Sequence, residues 1–181
     1  MLLTIAGKPG SGKSVVAKGL SDDYDLELVS FGAIFRRKAE EAGLSLEEFS
    51  KYAEEHGEVD REVDREQLDY IRRGNCVLDS RLGGHLAWRE GAPSIKIYLK
   101  ASLEVRAHRI AKRENIGMEE AKTLIEGREK SEKRRYLDFY SIDIDDLAPY
   151  DLIINSELLT EDGLFLSVKA FVDNCRLADG P

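Results

Sequence analysis

Gly7-Lys8-Pro9-Gly10-Ser11-Gly12-Lys13-Ser14 follows directly on the apolar run Leu2-Leu3-Thr4-Ile5-Ala6 and leads into Val15-Val16-Ala17-Lys18-Gly19-Leu20. The eight residues complete a G-x-x-x-x-G-K-S pattern between a strand-like and a helix-like run, the context that a phosphate-binding loop (P-loop) requires. Its glycines let the backbone turn tightly enough for successive N–H groups to converge on an anion. A helix starting near Lys13 adds its positive N-terminal dipole. Lys13 would reach the β- and γ-phosphates of a nucleoside triphosphate, and Ser14 offers a hydroxyl to Mg²⁺, a hard cation that prefers oxygen ligands. A ligand-free glycine-rich turn would have to combine the glycines, the proline, the lysine and the serine by accident.

Composition bounds what the loop can serve. The chain has 181 residues, enough for one domain with a sizeable core, and its 42% hydrophobic content reads as globular. A formal charge of −8 leaves no basic excess for a nucleic-acid backbone, so a polyphosphate must be held by a local cationic cluster. Cys76 and Cys175 lie far apart without metal-ligand spacing and are expected to be inert thiols. No apolar stretch reaches the length of a membrane span and no basic leader precedes the first strand, so a cytoplasmic protein with neither a membrane nor a nucleic-acid partner is expected.

Strand-like and helix-like runs alternate along the chain. Residues 2–6, 26–30, 76–79, 95–99 and 151–154 read as strands. Helices are expected after the P-loop and over 32–42, 59–73, 102–113, 118–136 and 163–175, with Gly74 placed to stop the one before it. Ser45-Leu46-Glu47-Glu48 is a capping-box pattern opening a further helix that ends near His56, and Ser102 is a candidate N-cap. Strands separated by helices imply an α/β fold with a parallel sheet covered on both faces and ligands at the carboxyl ends of the strands.

Asp79 ends its strand where an acid could meet Mg²⁺ opposite Ser14, although an aspartate there also serves as a plain helix cap. Arg81 lies beyond the same strand end and could bind a second phosphate, as a surface arginine in that place would equally allow. Arg109 and Arg113 are four apart and share a helical face, extended one turn back by Arg106; Arg128 and Arg135 share another. Arginine's planar fork suits phosphate oxygens, so these residues fit a lid closing over a transferring phosphoryl group. Pairing with Glu129 and Glu132 on a solvated face explains them too. Arg36, Asp60, Arg61 and Asp64 lie between the second and third strands. Their carboxylates could accept from the amine of a base and their arginines could hold a monophosphate, while charge pairing on an exposed helix fits the same residues. The three histidines show no metal or triad spacing, and Trp88 and the tyrosines are expected to be packing residues.

At this point the chain resembles the nucleoside monophosphate kinases. Besides the P-loop, the landmarks are Ser30-Phe31-Gly32-Ala33-Ile34-Phe35-Arg36, Leu78-Asp79-Ser80-Arg81, Arg109-Ile110-Ala111-Lys112-Arg113 and Tyr150-Asp151-Leu152-Ile153-Ile154-Asn155. Three further segments resemble the archaeal-type cytidylate kinases more closely: Ser45-Leu46-Glu47-Glu48-Phe49, Asp60-Arg61-Glu62-Val63-Asp64-Arg65 and Ile142-Asp143-Ile144-Asp145-Asp146-Leu147. The similarity spans nearly the whole chain.

The resemblance implies a monomeric kinase with a P-loop NTPase core of five parallel strands over 1–30, 71–112 and 137–181, an acceptor-binding region near 31–70 and a lid near 113–136. It implies transfer of the γ-phosphoryl of ATP, with Mg²⁺, to CMP and dCMP. Gly7, Lys8, Pro9, Gly10, Ser11, Gly12, Lys13, Ser14 and Val15 would then hold ATP, with Ser14 and Asp79 at the metal. Ser30, Gly32, Arg36, Asp79 and Arg81 would hold the acceptor, and Lys13, Arg109, Arg113, Arg128 and Arg135 would be catalytic. Bacterial cytidylate kinases continue the Asp-x-Arg stretch with an aspartate used at the cytosine, where this chain has Leu82. Base recognition must move elsewhere, and Asp60, Arg61 and Asp64 are the candidates. A kinase of AMP, UMP or shikimate, or a nucleotide-binding regulator without catalysis, are the competing readings.

Overall fold

The computed structural model describes residues 1–175. Its elements run β1 (Leu2–Gly7), α1 (Lys13–Tyr24), β2 (Glu27–Ser30), α2 (Phe31–Glu41), α3 (Leu46–Glu55), α4 (Gly57–Arg73), β3 (Cys76–Asp79), α5 (Gly83–Arg89), β4 (Ile95–Lys100), α6 (Leu103–Glu114), α7 (Met118–Tyr140), β5 (Leu152–Asn155) and α8 (Glu161–Asp173). The five strands form one parallel sheet in the order β2-β3-β1-β4-β5. β1 and β3 are buried along their whole length, as near-continuous apolar runs in a doubly covered parallel sheet should be. β2 and β5 close the two edges.

Alternate residues of each strand face opposite sides, so the sheet separates two cores. Leu3, Ile5, Val77, Ile97 and Leu99 pack with Val16 and Leu20 of α1 and with Leu164 and Val168 of α8. On the other face, Leu2, Cys76 and Leu78 pack with Ile71 of α4 and Leu86 of α5. A third, smaller core of Ala107, Ile110, Ala121 and Ile125 joins α6 to α7 away from the sheet. All strands run the same way, so the P-loop, Ser30, Asp79 and Ser156 all lie at the carboxyl ends of the strands. The β2–β3 register sets Ser30 directly beside Asp79, and the β1–β3 register sets Asp79 beside Ile5.

The sequence reading and the fold differ in a few places. α5 is absent from the sequence reading because Gly83 and Gly84 open it and obscure its helical pattern. Gly84 is needed there: a Cβ would run into the Tyr150 ring. Trp88, expected to pack, is 62% exposed on that helix. The charged section expected to be helical over 118–136 is a helix reaching Tyr140. The capping box at Ser45 forms as read, with Ser45 Oγ accepting from the Glu48 N–H at 3.2 Å and Glu48 accepting from the Ser45 N–H at 2.8 Å. Ser45→Ala is expected to cost about 1 kcal/mol, seen as a lower urea midpoint with an unchanged slope; an unchanged midpoint would mean that packing alone holds α3.

Candidate functional site

The loop between β1 and α1 is shaped by its own backbone and clamped from outside. Gly10 and Gly12 adopt φ +80° and +99°, and a Cβ on Gly10 would come within 2.7 Å of the Arg106 carbonyl oxygen. Arg106, buried on α6, donates to the Pro9 carbonyl at 3.2 Å and to Glu129 at 2.5 Å. Arg109, one turn on, donates to the Gly10 carbonyl at 3.2 Å and to Ser156 at 3.0 Å and 2.8 Å, while the Ser156 hydroxyl donates to the Ser11 carbonyl at 2.9 Å. Two arginines and a serine from beyond the loop therefore satisfy its carbonyls, which leaves its N–H groups to serve an anion.

The loop forms the floor of a cavity of about 660 Å³, a volume suited to small-molecule ligands. Because β2 and β5 lie at opposite edges of the sheet, the cavity has two ends. Arg109, Lys112, Leu159 and Thr160 line the end beyond β4 and β5. Phe31, Phe35, Val63, Asp64, Gln67 and Tyr136 line the end beyond β2 and β3. Between them lie Lys13, Ser14, Asp79, Arg81, Arg128 and Glu132. One oxygen of Asp79 accepts from Ser14 at 2.9 Å and from Ser30 at 3.2 Å.

The middle is crowded with positive charge. Burial, followed by the neighbouring Arg81 guanidinium, pulls the Lys13 ammonium down from its usual range to about 7. Burial also lowers Arg128, against the partial support of Glu132. Glu132 pairs with Arg81 at 2.5 Å and with Arg128 at 3.8 Å. Arg81 Nη2 is shielded from solvent and has no hydrogen-bond partner among the described residues. An anion with several acceptor oxygens would satisfy these groups, and a phosphate is the simplest such group.

The structure brings most of the expected site residues into this one cavity: Pro9, Gly10, Gly12, Lys13, Ser14, Val15, Ser30, Gly32, Arg36, Asp64, Asp79, Arg81, Arg109, Arg113, Arg128 and Arg135 all line it. Arg135 is held by cation–π contact, its guanidinium carbon 5.2 Å from the Phe35 ring centre. Arg113 sits at the rim, largely exposed and paired with Glu114. Gly7 and Ser11 support the loop from behind. Lys8 turns away toward Glu129 and Asp145 at 3.5 Å and 3.4 Å. Arg61 is exposed outside the cavity, because Val63, Asp64 and Gln67 make the inner stripe of α4 and Arg61 falls on its solvent flank. Asp60 also lies in α4, but its side chain is outside the described residues. Among the cavity residues that the sequence reading does not place in the site are Gln67, Ser80 and Glu132. Gln67 is one helical turn beyond Asp64, Ser80 lies between Asp79 and Arg81, and Glu132 is read there only as a surface partner. For Gln67 a readable signal exists in its i+3 spacing from Asp64.

The oxygen donors at Ser14 and Asp79 suit a hard divalent cation. Among the described residues no cluster of three or more His, Cys, Asp or Glu could cage a metal, so such an ion would rely on phosphate oxygens and water for its other ligands. No helix among the described residues is long and apolar enough to cross a membrane.

The Cytidylate kinase-like family matches residues 2–158. Cytidylate kinase of Methanocaldococcus jannaschii is 47% identical over 97% of this chain and 99% of its own length. Cytidylate kinase of Pyrococcus horikoshii is 47% identical over 96% of this chain and 89% of its own. Among solved structures, an uncharacterized protein from Eubacterium ventriosum superposes with a TM-score of 0.71 at 17% identity, covering 97% of this chain and 99% of that one. Shikimate kinase from Acinetobacter baumannii superposes with 0.61 at 15% identity, covering 97% and 95%. These two likenesses concern the fold.

Lys13 makes the site costly to fold in the absence of ligand. Its folded value near 7 lies below its usual 10.5, so the unfolded chain binds more protons between those values and stability rises with pH across that window. Lys13→Met should therefore raise the melting temperature of the ligand-free protein by several degrees near pH 6, with the gain shrinking toward pH 10. A pH-independent difference in melting temperature, or a loss, would refute the burial penalty.

Proposed function

The chain belongs to the cytidylate kinase-like family, and on that premise we infer that it transfers the γ-phosphoryl group of ATP to CMP, and to dCMP, giving CDP or dCDP and ADP. The observation that carries the reading is the one cavity lined by the P-loop lysine and Arg81 together with the aromatic side chains Phe31, Phe35 and Tyr136. We assign the end beyond β4 and β5 to the nucleoside of ATP and the end beyond β2 and β3 to the acceptor.

In this reading the loop N–H groups and Lys13 hold the donor phosphates, and Arg36 and Arg81 hold the acceptor phosphate. Mg²⁺, when bound, neutralises phosphate charge, and Ser14 and Asp79 would hold it. The acceptor phosphate is already a nucleophile near neutral pH, so no residue needs to act as a strong base. The side chains supply position and positive charge instead. Lys13, Arg81, Arg128 and Arg135 stabilise charge on the transferring group. Arg109, spent on the Gly10 and Ser156 carbonyls, positions the P-loop, and Arg113 waits at the rim.

Residues 31–70 form the acceptor-binding region in this assignment, and residues 113–136 form a lid. The lid assignment rests on the run of charged residues in that segment and on Arg113, Arg128 and Arg135 reaching the cavity from it.

The test is ADP formation from ATP and Mg²⁺ with CMP, dCMP, UMP, AMP and GMP compared at equal concentration. CMP and dCMP should lead, and chelation of Mg²⁺ should abolish turnover. Preference for AMP or UMP would overturn the substrate, and nucleotide-dependent capture of a protein without turnover would support a regulator. Arg81→Ala should lower kcat/KM for CMP by about two orders of magnitude while changing the KM for ATP little. Equal losses toward both nucleotides would remove Arg81 from the acceptor phosphate.

A further inference from the structure

We propose that Ser80 and Gln67 fix the hydrogen-bond polarity of the acceptor pocket, so that it takes an amino-bearing pyrimidine and rejects an oxo-bearing one. The proposal rests on the reading of CMP as acceptor and names how the base is told from uracil.

The inference follows a chain of hydrogen bonds whose direction is forced at its inner end. Ser80 Oγ accepts from two backbone N–H groups, those of Leu82 at 3.2 Å and Gly83 at 3.0 Å. A hydroxyl oxygen has two lone pairs, and both are now used, so its own hydrogen has to be donated. It goes to Gln67 Oε1. The amide nitrogen of Gln67 therefore faces the other way and donates to Asp64 Oδ1 at 3.1 Å. Turning the amide over would aim an N–H at a hydroxyl oxygen with no lone pair left and a carbonyl oxygen at a carboxylate. Both ends of the amide reject that arrangement, so the orientation of Gln67 is a consequence of the network.

All three side chains are buried, Gln67 at 1% exposure, and all three line the acceptor end. What this end offers a ligand is thus a carboxylate, which only accepts, beside an amide N–H, which only donates. Asp64 takes one of the two amide hydrogens of Gln67, and the second is there for a base. Cytosine presents the complementary pair along one edge, an exocyclic amine that donates and a ring nitrogen N3 that accepts. Uracil presents the reverse, a carbonyl oxygen and an N3–H. Its carbonyl would meet the carboxylate and its N–H the amide hydrogen. Because the backbone N–H groups behind Ser80 cannot reverse, the pocket has no low-cost way to turn its polarity round. A site built on committed hydrogen bonds discriminates more strongly than an apolar one, since the wrong ligand leaves buried polar groups unpaired. Adenine has the same edge polarity as cytosine, so this chain of bonds separates amino from oxo bases and leaves purines to be excluded by size.

The first measurement uses the unaltered protein with three acceptors, CMP, UMP and the 5′-monophosphate of 2-pyrimidinone, which lacks the amine and keeps N3 as an acceptor. Reversing a bond should hurt more than deleting it, so kcat/KM should fall in the order CMP, pyrimidinone, UMP, with at least about 10-fold between the last two. The second uses Ser80→Ala and Gln67→Leu, each checked by thermal melting. Both should lower the CMP-to-UMP ratio of kcat/KM by about 10-fold or more, chiefly through KM for CMP, with KM for ATP unchanged. A purely structural role would depress both pyrimidine nucleotides together and leave the ratio where it was. If the unaltered protein prefers CMP but turns over UMP better than the pyrimidinone nucleotide, or if the folded variants keep the CMP-to-UMP ratio, the polarity chain is wrong and the CMP reading stands. If the unaltered protein shows no preference for CMP, the substrate reading itself falls and this inference with it.

Discussion

Burying the Lys13 ammonium beside two guanidinium groups is the constraint on which the rest of the site depends. An ion taken out of water costs several kcal/mol unless partners replace the lost hydration, and here the nearest partners only half replace it. Lys13 donates to the Lys8 carbonyl at 3.2 Å and feels Asp79 and Glu132 as favourable charges, with Arg81 and Arg128 as unfavourable ones. The balance pulls the Lys13 ammonium down from its usual range to about 7. A triphosphate bound there, as proposed above, would change the sign of that balance, and part of its binding energy would then come from relieving a cost already present in the fold. A chain with net charge −8 can do this because Lys13, Arg36, Arg81, Arg128 and Arg135 are gathered along one cavity.

Holding such a cluster together requires rigid supports, and the supports come from distant parts of the chain. Arg106 and Arg109 reach the loop from α6, Ser156 reaches it from the end of β5, and Asp79 from the end of β3. Each satisfies a carbonyl or a hydroxyl that would otherwise compete for the loop N–H groups. α7 contributes differently. Ala121, Ile125, Arg128, Glu132 and Arg135 fall along one stripe of this helix. The first two are buried against α6, and Glu132 and Arg135 are buried in the cavity. One helical face is thus apolar where it anchors and ionic where it enters the site, which links the stability of the α6–α7 hairpin to the position of its charges.

Much of this was legible in the residues. The P-loop lies between a buried strand and a helix as its pattern requires, the capping box at Ser45 forms, and Gly74 caps α4. These features rest on local chemistry, in turn geometry, side chains that satisfy nearby N–H groups, and the alternation of apolar runs. The element missed, α5, failed for a reason of the same kind turned round. Gly84 is demanded by contact with Tyr150, a residue far along the chain, and locally the Gly83-Gly84 pair looks like a loop. Trp88 was misplaced because aromatic character says nothing about which flank of a short helix faces the core. The acidic residues on α7 do pair with arginines, Glu129 with Arg106 and Glu132 with Arg81 and Arg128. The sequence could not tell that Glu132 is buried, because a buried ionic stripe has the same spacing as a solvated one.

The sequence by itself determined that this is an α/β chain built round a phosphate-binding loop, since that motif depends on residues adjacent in the chain whose backbone geometry is set locally. It also located the strand-end residues Ser30 and Asp79, because strand boundaries are marked by composition. Only the tertiary structure decided which charges share a cavity. It put Glu132 between Arg81 and Arg128, set Arg109 behind the P-loop, and left Arg61 in solvent while turning Gln67 inward beside Asp64. The physical reason is that electrostatic and hydrogen-bond partners are chosen by distance in space and by burial. Both arise only when separate elements pack, and neither is written in any one stretch of chain.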